Sequence, residues 1–383
     1  MKIFSYIKCR LRVLFKKEVS LVSNINFDCT QNQARVLYCY LSSSFCTNFS
    51  ENMVFHPNII HSNQMLKVLI DKNFCIDACR CDDLNSFDII KKRKYDYILG
   101  FGPLYLKAVK YIDVKIKILF ITENNPLIVR EKYQERLSYY IKRHHKIPRT
   151  LSRDAFYSIE QYKVSDFGIL ISNEFNACSI RNYFKKLFLL DINGLFNPFF
   201  KFSNNGINEK RNSFLWFGSS GAVHKGLDIL IDAFLKLPEK QLNIYGVPEI
   251  EMQLFRKCKA ENIIFHQKIS VYENRFITEV VNQNAFVLSL SCSEGMQSGI
   301  ATCMMHGLIP IVTKETGYEK MPFIYEFPDY KLEIVVDFLK NMDKISDSEL
   351  KQQSIDTYEY AKEKFSIEHF TMNFNKIIDE ILL

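Results

Sequence analysis

The chain has 383 residues and a mass of 45.1 kDa, enough for two or three domains at about 150 residues each. Hydrophobic residues make up 47% and charged residues 24%, which excludes a disordered, collagen-like or fibrous chain. The net charge of +7 suits an anionic ligand or surface without demanding one; no run approaches the ~18 consecutive apolar residues of a membrane span, and no nucleic-acid-binding signature is present.

Residues 1–17 carry Lys2, Lys8, Arg10, Arg12, Lys16 and Lys17 and no acid, with Ile3, Ile7, Leu11 and Leu14 at helical spacing. Lys8, Arg10 and Arg12 break any secretory apolar core. The segment reads either as a basic amphipathic helix lying on the anionic inner face of the cytoplasmic membrane, or as a terminal helix packed on its own domain. Strand-length apolar runs follow at residues 35–41, 74–79, 95–102, 115–122 and 166–172, with helix-like stretches at 61–71, 130–144 and 173–184. Such alternation predicts a parallel sheet covered on both faces. Residues 193–212 are rich in Asn and carry turn formers at Asn197-Pro198 and Asn205-Gly206, so they read as a linker.

The rhythm then restarts, with strands expected at 213–217, 241–247, 262–267, 285–291 and 308–313 and a long helical pattern from residue 346 to the end. The fold class is α/β, with two facing Rossmann-like domains and a ligand cleft between the carboxyl ends of their strands. Boundaries are expected at 1–205 and 206–365, with 366–383 a helix packing back toward the N-terminal domain. The eleven cysteines are odd in number, scattered and set in apolar runs, as reduced thiols of a cytoplasmic protein would be. Cys75, Cys79 and Cys81 cluster without a second Cys/His pair at zinc spacing, so no metal site is expected.

Two loops carry chemistry. Gly218, Gly221 and Gly226 punctuate the strand-to-helix turn that holds Ser219, His224 and Lys225. Backbone N–H groups in such a turn can meet a phosphate, with Lys225 as a point charge, although the spacing matches neither a GxxxxGK[ST] loop nor a GxGxxG fingerprint. The second loop, Ser291-Cys292-Ser293-Glu294-Gly295-Met296-Gln297-Ser298-Gly299, places Glu294 at a strand's C-terminal end, where a carboxylate can accept from sugar hydroxyls.

Together these strings, FLWFGSSGAVHKGLDILIDAF and SCSEGMQSGIATCMMHGLIPIVT, resemble the donor-binding half of GT-B glycosyltransferases, in particular the large retaining family 4 (group 1) enzymes of bacterial surface-polysaccharide synthesis. The resemblance is strong over residues 212–320 and architectural over the N-terminal half. It implies a nucleotide-diphosphate sugar as donor, Lys225 at its pyrophosphate, and Glu294 at the transferred sugar with the backbone of Met296, Gln297 and Ser298 following. It also implies retention of configuration without metal or cofactor, and a glycan or lipid-linked glycan as acceptor in capsule, O-antigen or exopolysaccharide synthesis. Two positions depart from the family: Ser219 stands where a second phosphate cation is usual, and Thr302 stands where a ribose carboxylate is usual. Lys268 and His224 are candidate replacement cations, and Thr302 itself a candidate ribose contact. An inactive relative that binds glycans or acts as a scaffold is the alternative these departures suggest. On the acceptor side Glu123 is the titratable group of its loop and a candidate base. His56 and His61 can face the crevice, and His144 and His145 are expected to be solvated.

Overall fold

The computed structural model describes residues 20–26, 33–41, 57–150, 157–256 and 258–382; the basic segment 1–17 and His56 lie outside them. The N-terminal half is a seven-stranded sheet in the order β1-β3-β2-β4-β5-β6-β7. Its strands are β1 (Val22–Ile25), β2 (Arg35–Tyr40), β3 (Cys75–Arg80), β4 (Tyr95–Gly100), β5 (Val114–Ile121), β6 (Phe167–Ile171) and β7 (Lys186–Leu190). All neighbouring pairs are parallel except edge strand β1, which runs antiparallel to β3. Helices α1 (Pro57–Asp71), α2 (Gly102–Tyr111), α3 (Pro126–His144), α4 (Ile159–Val164) and α5 (Glu174–Ala177) connect them. The strand interiors are continuous apolar runs, as a sheet covered on both faces requires. The stretch 173–184 is not one long helix: it is α5 followed by a single 3-10 turn, and the apolar run KLFLL after it forms β7, which the sequence reading missed.

The C-terminal half is a parallel six-stranded sheet in the order β10-β9-β8-β11-β12-β13. It comprises β8 (Ser213–Phe217), β9 (Gln241–Tyr245), β10 (Ile263–Phe265), β11 (Phe286–Ser289), β12 (Ile309–Val312) and the short β13 (Tyr325–Glu326). Its principal helices are α6 (Leu227–Phe234), α7 (Ser298–Met304), α8 (Leu332–Asn341), α9 (Asp347–Lys364) and α10 (Ile367–Leu382). The long C-terminal pattern is therefore two helices, because Phe365 leaves the helical region and the Ser366 hydroxyl accepts from the His369 N–H to start the second. Helix α10 lies against α1 and β7 of the N-terminal half, aided by stacking of Phe370 on His61.

Strand order reverses at β8 and β11, which pair directly through Phe214 with Phe286 and Leu215 with Val287. Loops leaving those two strand ends are consequently neighbours, which is where open α/β sheets bind ligands. The connection 191–212 is not a free polar tether: Leu195 and Phe200 are buried, and Phe196 and Phe200 pack on the His306 ring. Cys39, Cys79, Cys81, Cys178, Cys258, Cys292 and Cys303 are free thiols, in line with the expectation for these positions.

Candidate functional site

A cavity of about 720 Å³ opens between the carboxyl edges of the two sheets. The C-terminal half contributes Gly218, Ser219, Lys225, Lys268, Glu294, Met296, Gln297, Ser298 and Thr302, and the N-terminal half faces them with Glu123 and His61. Sequence positions as far apart as His61 and Thr302 thus share one wall or the opposite one. Trp216 and Phe217 at the end of β8 add an apolar floor that the motif reading did not include.

Lys225 and Glu294 meet at its centre. Lys225 Nζ donates to Glu294 Oε1 at 3.0 Å, the Ser291 hydroxyl donates to the same oxygen at 3.0 Å, and both charged residues are under a tenth exposed. The β8–β11 pairing brings these loops together, and His224 fastens them: its Nε2 bonds the Ser293 carbonyl, its Nδ1 lies 3.5 Å from Cys292 Sγ, and its own carbonyl accepts from the Cys292 N–H. His224 is buried and does not line the cleft, so it holds loop backbone, while Lys225 and the exposed Lys268 line the cleft. Ser289 and Gln297, which line the cleft, each present a buried polar atom, Oγ and Nε2, without a hydrogen-bond partner. Unmet polar atoms on a cavity wall favour a polar ligand.

Two expected contacts, Gly221 and Gly295, fall outside the cleft lining. Gly221 is away from the cleft, and its N–H donates to Glu251 Oε2 at 2.9 Å. The Ala222 N–H and the Thr150 hydroxyl join it on that buried carboxylate, so an internal anion fills the turn in which a phosphate was expected. Gly295 serves the interface: a Cβ on it would lie 2.4 Å from the Thr122 carbonyl oxygen and 2.8 Å from that of Ile171. Thr302 lines the cleft, where its hydroxyl donates to the Ser298 carbonyl at 2.7 Å and accepts from the Leu195 N–H at 2.9 Å, which leaves it one acceptor position.

Helix α3 crosses to the C-terminal half. Arg136 on it is 3% exposed, lies 4.3 Å from the centre of the Tyr330 ring, and has two guanidinium nitrogens, Nε and Nη1, without hydrogen-bond partners. Burial pushes its pKa below the usual value. It packs against Gly226, whose φ of +67° and contact with the Leu290 carbonyl leave no space for a side chain. Arg143 pairs with Asp228 and Asp232 of α6; His144 lies 3.2 Å from Asp232 and is half-buried, while His145 is exposed as expected. No sequence signal marked Arg136, because its partners lie 90 and more residues away. Among the described residues no group of three metal-ligating side chains occurs, and no helix is long and apolar enough to cross a membrane.

No protein-family model matches the sequence, and no curated protein matches it. Solved structures do match the fold. Sucrose-phosphate synthase from Thermosynechococcus elongatus superposes with a TM-score of 0.62 at 12% identity, covering 92% of this chain and 99% of that one. WaaG, a glycosyltransferase involved in lipopolysaccharide biosynthesis, gives 0.55 at 14% identity over 90% and 99%. The pneumococcal O-GlcNAc transferase GtfA in complex with UDP and GlcNAc gives 0.52 at 17% identity over 78% of this chain, which spans 60% of GtfA's length. The fold is that of the GT-B glycosyltransferases: two Rossmann-like domains facing each other across a cleft.

Proposed function

We propose that the protein is a glycosyltransferase that moves a sugar from a nucleotide-diphosphate donor to a glycan or lipid-linked glycan acceptor. The observation that carries this reading is the buried Lys225–Glu294 pair at the centre of a cleft between two such domains. Lys225 would hold the donor diphosphate and stabilise its growing charge as it leaves, while Glu294 accepts from the sugar hydroxyls. Lys268 would add a second cation at the cleft wall, and Glu123 would meet the acceptor from the opposite wall. WaaG, a glycosyltransferase involved in lipopolysaccharide biosynthesis, supports a role in bacterial surface-polysaccharide synthesis. Retention of configuration without metal is what the family resemblance of the two loops implies, and contact with the inner membrane face is what the basic composition of residues 1–17 suggests. Millimolar UDP-, GDP-, ADP- and CMP-sugars, tested by thermal shift, should include one that raises the melting temperature. No shift with any of them sinks the donor-site assignment. Thr302, with its hydroxyl engaged by the backbone, favours the second reading, an inactive glycan-binding relative; donor binding without turnover in an acceptor assay would establish it.

A further inference from the structure

We infer that Asn176 is a positioning residue that holds the acceptor-side and donor-side walls of the cleft in register; this rests on the transfer reading above. The side chain belongs to α5 and is buried between the two halves. Its Oδ1 accepts from Asn124 Nδ2 at 2.8 Å, and Asn124 is the residue after Glu123. Its Nδ2 donates to the Ser172 hydroxyl at 2.8 Å and to the Glu294 carbonyl at 3.1 Å. The Ser172 hydroxyl in turn donates to the Gly295 carbonyl at 2.9 Å. One amide thereby spends its acceptor on the loop that carries Glu123 and its donors on the loop that carries Glu294 and on Ser172, which itself bonds that loop. Asn124 and Ser172 are buried as well, so the relay is shielded from water and directional. Its members are neutral, so it does not change with pH. Transfer between substrates held on separate domains requires reacting atoms within about 3–3.5 Å, a tolerance that two unlinked loops do not hold.

The test is Asn176→Asp, which is isosteric but loses both donors and turns a carboxylate toward the Glu294 carbonyl. With a donor that the wild type turns over, kcat for transfer should fall about tenfold or more while the donor KM stays within about twofold, and a larger share of donor should be lost to water. Ser172→Ala, which removes the Gly295 bond and one acceptor of the Asn176 amide but leaves its bond to the Glu294 carbonyl, should shift the same ratio less, and the exposed control Lys351→Ala should not shift it. Amide hydrogen exchange of the ligand-free protein gives a readout independent of turnover: it should rise in Asn176→Asp at both 122–126 and 291–297, with β5 and β11 unchanged. Exchange rising only around 173–178, or activity falling only with the folded fraction at a constant transfer-to-hydrolysis ratio, overturns the inference. If the wild type turns over no donor, the transfer reading fails, and the exchange pattern alone then decides whether Asn176 couples the two loops.

Discussion

Lys225 and Glu294 are each more than nine-tenths buried, and neither would be tolerated there alone. Replacing one member of such a pair strands the other, which costs about 3–5 kcal/mol. Lys225→Met should accordingly lower stability in denaturant melts and abolish the thermal shift with a nucleotide sugar. The double substitution Lys225→Met with Glu294→Gln should restore much of the stability without restoring the shift. Recovery of ligand binding in the double variant would show that the pair serves the fold and not the ligand. The Gly221 turn illustrates the converse: a pattern that reads as a phosphate cradle is already occupied by the Glu251 carboxylate, a partner 30 residues on that local spacing cannot reveal.

At the scale of elements, α10 presents Phe370, Phe374, Ile377, Ile378 and Ile381 as one buried stripe at helical spacing. Phe374 is fully buried, so Phe374→Ala should destabilise by about 3–5 kcal/mol, measured by urea denaturation. The 191–212 connection is seated by His306, whose Nδ1 bonds the Thr302 carbonyl and whose Nε2 accepts from the Asn197 N–H. Burial lowers the His306 pKa to about 4. Because protonation is disfavoured in the folded state, its contribution is complete above the unfolded pKa of about 6.5 and is lost as pH falls toward 4, by roughly 3 kcal/mol in all. Melting temperatures should therefore drop between pH 7 and pH 5, and the drop should shrink in His306→Gln. An unchanged drop in that variant would place the titration elsewhere.

Across the whole molecule, one buried apolar cluster runs through both halves, from Val36 and Ile171 to Leu215, Val287 and Ile300, and directional contacts add to it. Arg143 reaches Asp228 and Asp232, the Tyr139 hydroxyl accepts from the Leu332 N–H, and Thr150 reaches Glu251, all from α3 or the residues after it. Arg143→Met should leave the buried Asp228 and the half-buried Asp232 short of a cation and weaken the junction. Calorimetry should show a lower melting temperature with the two halves separating into distinct transitions; a single transition at the wild-type temperature would mean the junction does not depend on this residue.

Alternation of strands and helices, the restart at residue 213, and the pairing of a Lys-Gly turn with a Glu-Gly loop were legible in the sequence because each depends on neighbours within a few residues. β7 was missed because the preceding stretch 173–184 reads as helix up to its edge, and β13 because two residues carry no periodicity. The α9–α10 break could have been found at Ser366, a capping residue in a long helical pattern. Tertiary structure alone decided which groups in those loops face the cleft. Gly221 was claimed by Glu251 and Gly295 by the Thr122 carbonyl, while Asn176 and Arg136 were delivered to the interface from elements without a motif. The reason is physical: a hydrogen-bonding group is satisfied by whatever the fold brings to it, and hydrogen bonds across 30 to 140 residues leave no periodic trace in the chain.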